Sequence, residues 1–116
     1  MKSVRFLPPV LLVVALAYLP QAIASRSKAI TVVNNTSYTM TELYASSTNH
    51  SSDWSSSANL LSGQSIAPGG SSTVTISDGT DYCHYDFMGV LYGAAQASYQ
   101  YAIDTCHGNA QWTVSP

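Results

Sequence analysis

The only two cysteines of this chain stand in the same dipeptide, Cys83-His84 and Cys106-His107. Two thiols with two imidazoles are the donor set of a tetrahedral metal site, and two thiols alone are the makings of a disulfide. Backbone geometry separates these chemistries. Successive residues of a strand point to opposite faces, so a cysteine and the histidine after it do not converge on one ion. The segments that carry them, residues 83–92 and 97–106, read as the arms of a hairpin with its turn centred on Ala94-Ala95. That register sets Tyr92 against Ala97, Val90 against Tyr99 and Cys83 against Cys106. Opposed residues of a non-hydrogen-bonded antiparallel pair have Cα atoms about 4.5 Å apart, within a disulfide's reach. A Cys83–Cys106 disulfide is the expectation, contributing roughly 3 kcal/mol through the unfolded chain. A metal alternative survives the pairing of the sulfurs. His84 and His107 then occupy the other face, opposite Thr105 and Tyr82, where His50, Met40 or Met88 could join them. Imidazole with thioether suits copper.

The same register sorts the aromatic residues. Tyr99 and Tyr101 point one way, sharing a face with Val90 and Met88, while Tyr85, Phe87 and Leu91 lie on the opposite face beside the cysteines and Ala102. Disulfides favour apolar company, so the Phe87 face is expected to be core. Tyr99, Tyr101 and Val90 then form a half-exposed strip suited to a sugar or a protein partner. Trp54, inside a serine-rich loop, is read as a core anchor.

Catalytic chemistry finds less support. The register places Asp104 opposite Tyr85 and Asp86 opposite Ile103, so the two carboxylates project from opposite faces and make no acid–base pair. There is no Gly-x-Ser-x-Gly elbow, and Asp78, Gly79 and Asp81 lack the full carboxylate spacing of a calcium loop. The expectation is a protein that is not an enzyme and needs no cofactor.

The elements that must position these residues follow from composition and pattern. Lys2 and Arg5 precede an apolar run from Phe6 to Leu19, then Pro20 and Ala22-Ile23-Ala24. This is the layout of a secretory signal peptide over residues 1–24, and the run falls short of the roughly 20 residues that span a bilayer. Residues 25–116 are then a single exported domain, without membrane insertion, in a periplasm or outside the cell. In that domain two basic residues, Arg26 and Lys28, stand against six acidic ones, a net charge of about −4 with histidine neutral. A body without a lysine or arginine after Lys28 cannot neutralise phosphates, which excludes nucleic acid as a partner. An oxidising compartment also favours the disulfide.

Short β-rich runs recur between turn signals. The stretch AITVVNN stops at Asn34-Asn35, and YTMTELYAS precedes a polar stretch in which Ser52 or Asp53 could cap a short helix. QSIA meets Pro68-Gly69-Gly70, and STVTIS alternates with Val74 and Ile76 on one face. The two hairpin arms and QWTVS complete the set. About six or seven short strands and no strong amphipathic helix predict an all-β fold, a small antiparallel β-sandwich, Ig-like or barrel-like, with one disulfide. Asn34, Asn35 and Asn49 also begin N-x-Ser/Thr sequons.

Taken in order, VVNNTSYTMTELYAS, the Asp53-Trp54 pair after a polar loop, IAPGG, CHYDF and DTCHG resemble a family of small exported bacterial proteins. Its members share an Asn-Asn-Thr opening, a Glu-Leu-Tyr strand, a Pro-Gly turn, a Cys-x-x-Asp strand and a late cysteine. The matching positions here are Asn34, Asn35, Glu42, Tyr44, Trp54, Pro68, Gly69, Cys83, Asp86 and Cys106. The resemblance implies a secreted, disulfide-bonded β-sandwich and no particular activity. The sequence therefore predicts an exported, non-catalytic binding or envelope-associated module for an unknown protein or carbohydrate. The alternatives are a periplasmic copper-binding protein using His84, His107 and His50, and, third, a small hydrolase.

Overall fold

The computed structural model describes residues 27–48, 54 and 57–116. The signal-peptide segment, His50 and the Ser52/Asp53 helix cap lie outside the described residues.

Six strands form: β1 (Ala29–Asn34), β2 (Met40–Ser47), β3 (Ser71–Thr75), β4 (His84–Leu91), β5 (Ser98–Asp104) and β6 (Gln111–Val114). They make two three-stranded sheets, ordered β3-β1-β6 and β2-β4-β5. All neighbours are antiparallel except β1 and β6, which run parallel. There is no α-helix among the described residues. The period-two pattern works as expected. In β1, Ile30, Val32 and Asn34 turn inward, as do Trp112 and Val114 in β6 and Val74 and Ile76 in and after β3. The other sheet answers with Leu43, Tyr85, Phe87 and Leu91, and the Phe87 ring lies 6.4 Å from that of Trp112 across the interior. One apolar cluster drawn from two separate sheets is a sandwich, with the Phe87 face as core.

The loops are tied to the sheets by polar bonds. Asn34 is fully buried, and its amide uses every bond it can make. Nδ2 donates to the carbonyls of Tyr38 (2.7 Å) and Ile66 (3.0 Å), while Oδ1 accepts from the amide (3.2 Å) and hydroxyl (2.6 Å) of Thr36. Its backbone exchanges bonds with Gly70 and Gly69. One side chain thus joins the end of β1, the start of β2 and the Pro68-Gly69 turn. The outer edge of β2 is covered by the segment that follows: the Leu60 amide donates to Leu43, the Leu43 amide to the Asn59 side chain, and the Ser57 hydroxyl to Ala45. That edge is closed to further pairing.

The β4–β5 hairpin departs from its expected register. Met88, not Val90, faces Tyr99, a slip of two residues. The cause is the turn. Gly93 takes a left-handed conformation (φ 90°), and the Ala94 amide donates to Leu91, so the chain reverses one residue earlier than an Ala94-Ala95 centre would have it. A bulge then recovers one residue: Tyr101 and Ala102 together oppose Asp86, with Ala102 itself left-handed (φ 57°). Beyond the last ladder pair, His84 with Asp104, the amide and hydroxyl of Thr105 both donate to the Cys83 carbonyl. Cys83 and Cys106 meet there and are bonded, with Cα atoms 5.3 Å apart. The disulfide is the expected one, but it lies past the end of the ladder and is half-buried instead of sitting in the core, and Ala102 is exposed.

Candidate binding face

The face of β2-β4-β5 turned away from the core carries a row of aromatic residues that the core does not use. Cross-strand pairing sets Tyr44, Met88 and Tyr99 in one row and Glu42 beside Val90 in the next. Tyr99 and Tyr101 are 46% and 58% exposed, and their rings are parallel within 2° at a centroid separation of 6.2 Å. Trp54 joins them, 6.2 Å from Tyr99 and half-buried. This corrects the reading of Trp54 as a core anchor, a role Trp112 fills. Its polar, serine-rich surroundings were the available signal, because a loop without apolar neighbours has little with which to bury an indole.

The strip is braced by polar contacts. The Ala102 amide donates to Asp86 Oδ1 at 2.9 Å, which holds the bulge. The extra residue reverses the phase of β5, turning Ile103 toward Tyr85 on the core side and Asp104 toward His84 on the outer side. Asp86 and Asp104 therefore share a face, contrary to the expected register. Asp86 holds the bulge, and Asp104 accepts from the Cys106 amide and pairs with His107 Nε2 at 3.0 Å. The Tyr44 hydroxyl donates to Glu42, and that bond, with burial and the carboxylate's charge, pushes the Tyr44 hydroxyl's pKa up.

No known protein family, curated protein or solved structure matches the chain.

The residues of the metal alternative are placed as follows. His84 faces Asp104 across the ladder, and His107 pairs with Asp104, so the expected opposition to Thr105 and Tyr82 is replaced. Met40 is wholly buried in the core and Met88 lies in the aromatic row. Among the described residues the one grouping of three metal-ligand types is Cys83, Asp104 and Cys106, in which the disulfide takes up both sulfurs.

A cleft of about 470 Å³ opens where the two sheets diverge, lined by Ser46, Ser47, Ile76, Asp78, Thr80 and Tyr85. Behind it is a polar knot that sequence reasoning missed. Lys28 Nζ, almost fully buried, donates to Asp78 Oδ1 at 2.6 Å, Tyr85 Oη at 2.7 Å and the Thr80 carbonyl at 3.1 Å. The Tyr85 hydroxyl donates to the second Asp78 oxygen. Burial alone would lower the lysine and raise the carboxyl. The bonds to Asp78 and Tyr85 outweigh it for Lys28, whose pKa is raised. Those from Lys28, Tyr85 and Thr80 outweigh it for Asp78, held well below the usual carboxylate range. Lysine and aspartate thus stay charged across neutral pH, and neither hands over a proton there.

The pair sets a pH window. Asp78's depressed value stabilises the fold above the unfolded carboxyl's value, about 3.9, and that stabilisation fades as pH falls below it. Lys28's raised value stabilises the fold below about 10.4, and its share fades as pH rises beyond. Chemical denaturation midpoints should therefore respond to this pair only below about pH 4 and above about pH 10. Asp78→Asn should cost about 2 kcal/mol at pH 7 and flatten the acid limb. The cost is below that of breaking a fully buried pair because the Asp78 side chain is 36% exposed. An unaltered acid limb in the variant would count against the assignment.

Proposed function

We propose that this chain is an exported, non-catalytic binding module that holds a protein or carbohydrate against the outer face of β2-β4-β5. The observation that carries the reading is the strip of Trp54, Tyr99 and Tyr101, with two parallel, exposed rings on one strand. A protein does not gain from leaving two large rings in water at adjacent outward positions, and flat amphipathic rings cost little entropy when a partner covers them. A rigid, disulfide-closed hairpin suits the task because the platform is ordered before the partner arrives. The cysteine pair, the leader-like residues 1–24 and the resemblance to small exported bacterial proteins support export.

Trp54 supplies its own test, since Trp112 is buried in the core. Envelope polysaccharide or protein of the producing cell should shield Trp54 from acrylamide quenching in the wild type and fail to do so in Tyr99→Ser/Tyr101→Ser, a variant with unchanged circular dichroism. Equal shielding in both would sink the reading. Intact mass of the secreted protein should begin at Ser25 and lie two hydrogens below the reduced value.

A further inference from the structure

The charges of the molecule are sorted by sheet. The strands β1, β3 and β6 read AITVVN, SSTVT and QWTV and contain no ionisable side chain. Among the described residues the carboxylates are Glu42, Asp78, Asp81, Asp86 and Asp104, and Lys28 is the sole lysine or arginine. Lys28 is spent on Asp78 inside the molecule. The other four carboxylates all belong to β2, β4, β5 or the turn leading into β4. Glu42 and Asp104 hold outward positions on the face that displays Tyr44, Tyr99, Tyr101 and Trp54, while Asp86 is buried against the Ala102 amide, and among the described residues that face is opposed only by His84 and His107 at the end beyond Asp104.

That combination selects a ligand by charge. Phosphates, acidic glycans and anionic lipids are repelled. A neutral sugar would use the rings but draw nothing from the charge of the carboxylates. A cation is attracted twice, by the negative quadrupole of each ring face and by the carboxylates beside it. The sites are spread out: strands lie about 4.8 Å apart and residues about 3.4 Å along each, so Glu42, Tyr99 and Asp104 are too dispersed for one small amine. Resting on the binding reading above, we infer that the partner is a cationic polypeptide segment. It lies extended across β2-β4-β5, with arginine or lysine side chains over Tyr99 and Tyr101 and toward Glu42. Arginine suits it best, because its planar guanidinium stacks on rings and bonds carboxylates at once.

The probes are three: a blocked seven-residue peptide alternating glycine and arginine, the same peptide with glutamate, and a neutral glucose hexasaccharide. Affinity is read by calorimetry together with Trp54 emission. The arginine peptide should bind, the glutamate peptide should not, and affinity should fall as salt rises. Tyr99→Ser/Tyr101→Ser, which alters no charge, should weaken the arginine peptide about fivefold to thirtyfold, and Glu42→Gln should weaken it severalfold. If the hexasaccharide binds instead, independently of salt but dependent on Tyr99 and Tyr101, the cationic partner is wrong and the binding face stands. If the arginine peptide binds equally to the tyrosine variant, the face itself is wrong. Equal affinity for the arginine and glutamate peptides also overturns the inference.

Discussion

Asn34→Ala should lower the unfolding free energy by about 3 to 4 kcal/mol, among the largest losses any single substitution outside the apolar core can cause here. The cost comes from buried groups left unpaired. The Asn34 side chain is the partner of the Tyr38 and Ile66 carbonyls and of the Thr36 amide and hydroxyl, all at a fully buried position. A methyl group there leaves those groups facing one another with no room for bulk solvent, and each unsatisfied buried group costs about 1 to 3 kcal/mol. The Thr36 amide loses most, since the Tyr38 carbonyl keeps the Thr36 hydroxyl and the Ile66 carbonyl keeps the Met40 amide. Asn34→Asp should be at least as damaging although it is nearly isosteric, because a carboxylate oxygen would confront two carbonyls where Nδ2 now donates. Urea midpoints for the two variants check this. A loss below about 1 kcal/mol in Asn34→Ala would mean that the loops at residues 35–39 and 66–70 hold themselves. A small domain has roughly 5 to 15 kcal/mol in hand, so Asn34→Asp should sit near the edge of folding at 37 °C.

Reducing the Cys83–Cys106 bond should cost about 3 kcal/mol, the loop-closure entropy returned to an unfolded chain cross-linked over 23 residues. Both cysteines are half-buried, so a phosphine reductant should reach them in the folded protein. The expected result is a lower urea midpoint with the β-sheet circular dichroism retained in water, and the same shift in Cys83→Ala/Cys106→Ala. Retention is expected because other bonds hold the hairpin. The two Thr105 bonds to the Cys83 carbonyl and the Asp86 bond to the bulge do not involve sulfur. If reduction instead unfolded the chain outright at 25 °C, the ladder would be too weak to hold the tyrosine face without its staple.

The hairpin is also the clearest case of a correct pairing reached through a wrong register. Alternation of Tyr85, Phe87 and Leu91 was legible, and with it the core face, because burial follows the two-residue period whatever the partner strand does. The pairing was not legible. It depends on where the turn closes, and on a bulge whose cause is a side chain on the neighbouring strand, Asp86, reaching the Ala102 amide. No local pattern in ASYQYAIDTC announces that bond. Trp54 illustrates the same limit: a lone indole in a serine-rich loop does not name its neighbour, and only the folded chain sets it beside Tyr99.

What the sequence by itself determined is local: strand alternation, the turn at Pro68-Gly69, the excess of carboxylates, and two cysteines free to find only each other. These depend on each residue's own backbone preference and polarity. Tertiary structure decided which distant groups share an environment: Lys28 with Asp78 and Tyr85, Asn34 with Ile66, and Asp104 with His84. Such pairings are selected by burial, where an unpartnered polar group is too costly to tolerate. That cost is felt only when the two sheets close on each other.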